Sequence, residues 1–399
     1  MPIQSERYVT IFPSQSRCFL TTFCFFSSIF LLRNTYVDAK AAQMNPEEVM
    51  IKHVYRNLFA DHAYSKNPKG EAAEVVTMTY QELIAYYHSY YHPSNGHAFC
   101  FGQQDFIDVC LTELNAVLNE YDEDTAIRKS SKVGWQDLTK LDTEIKNIGY
   151  PDYQESVDYR SIIAWVLNEQ PMDLRTEVAW HLVFELLAGS NTAPIAKLIF
   201  EMDLGSDIVT HFQHSLQQWV MALGVSGIVS EADVQRANEK IIEELELIVS
   251  NGFSNDAIQA AVHKMEFKFR DQGYHDGMPR GAKYFQDILG HWNYDRDPLI
   301  PLKTSFEFME LKNKIDNEGQ GFLLELITSK MFDSKHTTSL NLHPDMNYAL
   351  QYERVSKLTI WHRTGICQPS LSFALLMIPR TTLQCLNLFP LLHRWKADG

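Results

Sequence analysis

The chain has 399 residues, 45% apolar and 21% charged, enough for two cores in an ordinary globular composition. Its formal net charge of −15 argues against a nucleic-acid partner, because phosphate binding needs clustered Lys and Arg. The six cysteines include no Cys-x-x-Cys, which argues against a disulfide framework or a cysteine-rich zinc site.

In chain order, the first 42 residues differ in composition from the body of the chain. Residues 18–32 form an apolar run between Arg17 and Arg33. The run is shorter than the roughly 20 residues a membrane helix needs and suits the apolar region of a signal peptide. Ala39-Lys40-Ala41 offers a small-x-small cleavage pattern. Arg7, Arg17, Arg33 and several serines meet part of the pattern of a mitochondrial presequence. The opposing reading is that residues 1–42 come from a wrong exon boundary.

Residues 44–60 suit a helix with an acidic first turn and a stripe of Val49, Met50, Val54, Leu58 and Phe59. Thr79 and Glu82 form a capping-box pattern at the start of a helix from Tyr80. Pro93-Ser94-Asn95-Gly96 stops that helix, and Ala98 to Phe101 has the pattern of a short buried strand. A helix over 105–121 comes next, then a polar stretch that reads as a linker, placed at 126–157. Tyr159 to Leu167 reads as a strand, and 173–187 and 192–202 as helices. Ile208 to His214 and Gln218 to Ile228 read as a strand pair. Ser230 and Ser254 cap two helices, and 281–292, 306–317 and 321–332 supply three more. Thr337 to Leu342 is a closing strand. This order predicts an α+β fold, a mainly antiparallel sheet with helices packed on one face.

Residues 359–399 change composition again: no acidic residue occurs between Glu353 and Asp398, and Pro369, Pro379 and Pro390 break any long helix. This atypical tail reads as an artefactual or separately disposed extension. The body between the ends, 43–358, carries 27 basic and 47 acidic residues. Such a surface attracts basic peptides, or it serves solubility alone.

Five colinear segments carry a family resemblance: Tyr90-Tyr91-His92-Pro93-Ser94-Asn95 with Phe101-Gly102; Glu169 to Leu174; Asn251 to Ala257; Met278-Pro279-Arg280-Gly281; and Trp292 to Asp295 with Asp297-Pro298 and Pro301-Leu302-Lys303. Together they resemble the presequence-protease branch of the pitrilysin-type zinc metallopeptidases. The resemblance implies two halves closing a chamber, each half made of two similar α+β domains, that degrades targeting peptides and other short unfolded peptides. It implies that 43–125 is the C-terminal part of a first, catalytic-type domain and 158–358 a second, non-catalytic one. It implies a mitochondrial location, with plastid or secretory pathway as alternatives. Its zinc site is an inverted His-x-x-Glu-His helix plus a downstream Glu, in which the Glu deprotonates a zinc-bound water. Neither His-x-x-Glu-His nor His-Glu-x-x-His occurs in the 399 residues. The expectation is therefore a partial chain with no catalytic or metal residue of its own, family zinc not bound by it, and two candidate partners: short unfolded peptides and the missing half of the chamber. Gly70-Glu71-Ala72-Ala73 stands where the family has Gly-Gly-Asp-Pro, which puts a substrate role of that loop in question. The alternative is a non-catalytic homologue that binds peptides or a partner.

Other constellations have spacings that chemistry could use. Glu177, His181 and Glu185 would share one helix face and could take a metal or be a solvated face with ion pairs. His88 and His92 are also four apart, and His92 at the helix end reads as a cap. His211 and His214 do not share a strand face. Arg280 is the candidate substrate contact, through a peptide carboxylate, with a structural salt bridge as the alternative. No phosphate loop and no Gly-x-Ser-x-Gly elbow is present.

Overall fold

The computed structural model describes residues 35–75, 77–138, 146–151, 158–270, 280–334, 336–348, 350, 352 and 354. The signal-like run 18–32, Met278-Pro279 and the tail 359–399 lie outside these. Contacts divide the chain into Met1–Ala349 and Leu350–Gly399; all elements named here belong to the first unit.

Five strands form one sheet in the order β1-β5-β2-β4-β3: β1 Lys146–Pro151, β2 Tyr159–Val166, β3 Asp207–Gln213, β4 Val220–Ile228 and β5 Thr337–Asp345. Every pairing is antiparallel except β1 with β5. The last strand of the unit thus lies between the first two, tying distant parts of the chain into one sheet. β2 and β4 read as continuous apolar runs because both their faces are buried. On β4, Gly224 permits the close approach of β2: a Cβ there would stand 2.1 Å from Ser161 O.

One face of the sheet, with Trp165, Met221, Leu223 and Val225, packs under most of the helices: α7 Leu174–Ala188, α8 Pro194–Glu201, α9 Glu231–Asn251, α10 Asn255–Arg270, α12 Thr304–Glu318 and α13 Gly321–Ile327. The other face is not bare. Ile162, Ala164, Val220, Ala222, Leu340 and Leu342 bury the predicted stripe Val49, Met50, Val54 and Leu58 of α2, Pro46–Leu58. Asn45 caps α2, accepting from the amides of Glu47 and Glu48. A preceding helix, α1, covers residues 35–43; it contains Ala39-Lys40-Ala41, and Ala39 is buried.

Three expectations change. The stretch read as linker contains a helix, α6 Thr125–Ser130, and β1, whose Tyr150 is buried while the strand borrows its register from β5. The last helical pattern splits: α13 ends at Ile327, and Thr328–Phe332 widens into a π-turn. Within that turn, Met331 O accepts from the buried Trp165 indole at 3.1 Å. Finally, Ala98 to Phe101 is not a strand. No neighbouring strand supplies its ladder, and it runs as an irregular connection between α4 Tyr80–Tyr90 and α5 Gln104–Leu118. α4 has the predicted box, with Thr79 Oγ1 accepting from the Glu82 amide and the Glu82 carboxylate accepting from the Thr79 amide. Neither α4 nor α5 contains a buried residue. The remaining short helix, α3, is Ala72–Val75.

Candidate functional site

The segment that fails to become a strand still alternates. His97, Phe99 and Phe101 all meet α11, Arg280–Trp292. His97 stacks on Trp292 at 4.4 Å between ring centroids. Phe99 lies 5.5 Å from Phe285, and Phe101 meets Tyr284 edge-on at 5.5 Å. The spacing of 292, 285 and 284 puts these rings along one side of the helix. Each aromatic pair is worth about 0.5–1.5 kcal/mol beyond its buried area, so three pairs can stand in for a missing ladder.

Arg280 stands at the start of this seam, exposed, on the first residue of α11. Beside it, Gly281 makes room for Phe101: a Cβ would sit 2.7 Å from Phe101 Cδ1 and 3.2 Å from its Cβ. The pairing of Phe101-Gly102 with Arg280-Gly281 thus has a steric reason. Gly281→Val should lower stability by about 1–3 kcal/mol through overpacking. Urea denaturation checks this, and the loss should shrink in a Phe101→Ala background. Equal losses in both backgrounds would mean that the ring is not what Gly281 accommodates.

At the far end of the seam, Asp295 takes a left-handed backbone (φ 57°) and pairs with Arg128 at 2.6 Å and Lys132 at 2.5 Å. Hydrogen bonds from Lys132 and Arg128 hold its carboxyl below the usual range. These groups, with Ser94, Asn95 and His97, line a cavity of about 100 Å³. Tyr64 donates to Tyr294 at 2.9 Å, anchoring the same loop to the segment after α2.

Behind the seam is a buried ionic triad. Glu177 accepts from His291 Nε2 at 2.9 Å and from Arg296 Nη1 at 2.7 Å, and Arg296 Nη2 donates to Met172 O at 2.6 Å. Glu177 and His291 are 5% and 4% exposed. Through Met172 O the triad joins the 169–174 segment to the 292–297 segment, so two of the colinear motifs meet there.

The three-residue face on α7 is real in spacing but divided in use. Glu177 belongs to the triad. His181 sits among Phe212, His214 and Trp219, with ring centroids 4.5 Å from His214. Burial, then His214, Lys268 and Lys283, holds its imidazole well below the usual range. Glu185 pairs with Lys264. Among the described residues no group of three His, Cys, Asp or Glu could hold a metal ion. The described residues do not fit the zinc that the family resemblance implies, and no catalytic step follows from them. His92 does cap, but as an acceptor: its Nδ1 receives the Ser94 amide at the start of the 93–95 turn, not the dipole at the end of α4. His211 and His214 do point apart, His211 to the Tyr55 hydroxyl at 3.0 Å and His214 to His181.

The missed residues are His291, Arg296 and the Phe99–Phe285 pair. No local pattern announces them, because their partners lie over a hundred positions away in the chain.

Residues 77–265 match the family described as the peptidase M16 inactive domain. The chain is similar to presequence protease 1, chloroplastic/mitochondrial, of Arabidopsis thaliana, 27% identical over 321 residues, covering 79% of this chain and 29% of that protein. The mitochondrial presequence protease of Mus musculus is 23% identical over 325 residues, covering 80% and 30%. The chain therefore spans under a third of the length of these relatives. A protease from Helicobacter pylori shares the fold, with a TM-score of 0.61 at 13% identity, over 80% of this chain and 72% of that one. Colinear motifs, fold and sequence likeness agree that the chain resembles the M16, pitrilysin-type peptidases, the presequence proteases among them, while its sequence contains neither form of the zinc motif.

Proposed function

We propose that the chain is a non-catalytic wall of a peptide chamber, holding short unfolded and basic peptides for a zinc site supplied by another part of the assembly. The observation that carries this reading is the convergence of three of the presequence-protease motifs, at Phe101, Gly281 and Trp292, on one seam, in a sequence without His-x-x-Glu-His. In this reading 43–125 closes a catalytic-type domain, 158–358 is the second domain, and 126–157 connects them. The acidic body raises the local concentration of basic peptides. Arg280, exposed at the head of the aromatic seam, would take the peptide's C-terminal carboxylate. The naming of the relatives as mitochondrial or chloroplastic favours the same organelles for this chain.

The test is binding of a fluorescent basic 20-residue peptide to the purified chain, with and without zinc and chelator. Saturable binding, weakened by salt and about tenfold weaker in Arg280→Ala, is expected, with no cleavage. Zinc-dependent cleavage by this chain alone would overturn the non-catalytic reading. Failure to bind any peptide would overturn the chamber-wall role.

A second reading, a homologue that docks a peptidase partner, is favoured by the exposed apolar residues of α4 and α5. Tyr86, Tyr87 and Tyr91 on or beside α4, and Val109 and Leu111 on α5, are each at least 49% exposed. Restored cleavage on mixing with a zinc-bearing presequence-protease fragment would support it; unchanged sedimentation of both would exclude it.

A further inference from the structure

The sheet face that packs under α9 is apolar through Ile163, Trp165, Leu223 and Val225. Toward β1 it turns polar. Asn147 of β1, Asn341 of β5 and Ser161 of β2 are register partners across three strands, so their side chains share that face. Asn238 comes down onto this row from α9. Its amide donates to Asn341 Oδ1 at 3.1 Å and to Ser339 Oγ at 3.4 Å. It occupies a core position of the helix, among the buried Val234, Ala237 and Ile241. A carboxamide there is costly unless its polar atoms are paired. Two atoms of the cluster are not: Asn238 Oδ1 and Ser161 Oγ are buried with no hydrogen-bond partner among the described residues. Asn238 is 9% exposed and Ser161 0%.

Beside this row lies a cavity of about 250 Å³, lined by Asn147, Asn341 and Leu342 from the sheet and by Glu231 and Val234 from α9. It is smaller than the roughly 300–1,000 Å³ of drug-sized sites, so it suits one small group. Among the described residues no Lys or Arg lines it. The cations at adjacent strand positions are turned to the opposite face. Lys146 donates to Asn57 of α2, and Arg160 pairs with Asp158 and lies over the Tyr150 ring. An anion would therefore find no counter-charge in the cavity. Carboxamide oxygens, one carboxylate and two apolar walls match three N–H donors on an aliphatic stem.

We propose that this cavity binds a primary alkylammonium group. The stem lies against Val234 and Leu342, and the head donates to Glu231 and to the carboxamide oxygens of Asn147 and Asn341. The Asn341 oxygen can accept from the ammonium while it accepts from Asn238, because it has two lone pairs. The group is the side chain of a lysine in a peptide or a free small amine, which differ only in what the stem is attached to. The site does not depend on the chamber-wall reading: binding of a free amine would stand even if the chain bound no peptide.

The test is a titration of the full 399-residue chain, methyl-labelled at Val and Leu, followed by NMR. The probe is n-butylammonium chloride, and sodium butyrate supplies an anion on a similar stem. Saturable shifts at Val234 and Leu342 are expected with butylammonium, with a Kd of about 1 mM, and none with butyrate. Glu231 and Asn147 are exposed positions where substitution leaves the core intact. Glu231→Gln should weaken binding about fivefold, and Asn147→Ala about threefold. The peptide acetyl-Gly-Lys-Gly-amide separates the two sources. The same shifts with the peptide support a lysine side chain as the ligand, and shifts with the free amine alone support a small amine. No saturable shift with either amine up to about 50 mM would overturn the proposal. So would equal shifts with butyrate, or an affinity unchanged in Glu231→Gln. Because the shifts are read first on the unmutated chain, poor folding of a variant does not obscure the answer.

Discussion

Replacing Glu177 with Ala should destabilise the chain by about 3–5 kcal/mol, the largest loss expected from any single charged side chain described. The carboxylate is the shared acceptor of His291 and Arg296, and all three lie where water is scarce: Glu177 and His291 side chains are 7% and 6% exposed and Arg296 21%. Removing it leaves a guanidinium with no counter-charge and an imidazole Nε2 with no acceptor. The guanidinium keeps only Met172 O. His291 already has one buried ring nitrogen without a partner, Nδ1, and would then have two. The net worth of the intact triad is a separate matter, since desolvation offsets much of its attraction. Breaking one member is costly because the others stay buried. A surface pair gives the contrast: Lys69 with Glu48, both over 40% exposed, should change stability by less than about 1 kcal/mol when removed. Urea denaturation of Glu177→Ala, Glu48→Ala and the wild type measures both. Replacing the whole triad at once, Glu177→Met with His291→Leu and Arg296→Met, should recover most of the loss. If Glu177→Ala lies within about 1 kcal/mol of the wild type, or if the triple replacement is worse than the single one, the triad does not hold the 169–174 and 292–297 segments together.

Much of the fold was legible because its signals are local. Alternation and apolar runs marked β2, β3, β4 and β5, and caps marked α4, α9 and α10, where Thr79, Ser230 and Ser254 each accept from the third residue of the helix. The stripe on α2 announced a buried face, and only the sheet could say which face of itself would receive it. What could not be read depends on partners far away. β1 looks polar because only its end is buried, and its strand character comes from a parallel neighbour nearly two hundred positions later. Ala98 to Phe101 has every local mark of a strand, yet a strand needs an adjacent ladder. Without one its backbone stays irregular and its rings pack on a helix instead. The candidate site divides in the same way. Arg280 was visible as a cation between proline and glycine, and the i,i+4 spacing on α7 was visible too. That Glu177 serves a histidine 114 positions away, while His181 turns into an aromatic cluster, is a tertiary outcome with no counterpart in the α7 sequence.

The chain should also lose stability as pH falls below about 6.5, ahead of ordinary acid unfolding. Four histidines with little or only partial exposure, His53, His181, His211 and His336, are all held below their usual range, and burial is the largest cause in each. For His53 the value falls to about 4, with Arg56 and Lys52 adding to the effect of burial. The folded chain keeps these rings neutral, whereas the unfolded chain takes up protons on them near pH 6.5. Above that pH neither state is protonated at these positions and they contribute no pH dependence. Between pH 6.5 and the depressed folded values the unfolded state binds more protons, so stability falls as pH falls, by at most about 1.4 kcal/mol per pH unit for each histidine. His214 is also lowered by burial, but its exposure lets solvent screen much of the effect. His336 gives the sharpest single case. It is fully buried between two carbonyls, Nε2 at 2.7 Å from Leu58 O and Nδ1 at 3.2 Å from Leu138 O. A neutral ring can donate to only one of them, and the shorter contact to Leu58, at the end of α2, takes the proton. Both carbonyls favour the charged ring, yet burial outweighs them. Denaturant midpoints measured from about pH 8 to 5 should be flat above about pH 7 and drop by about pH 5.5, with a shallower slope in His53→Gln. A midpoint that rises on acidification through this range, or a slope unchanged in His53→Gln, would mean that these rings are protonated in the folded chain.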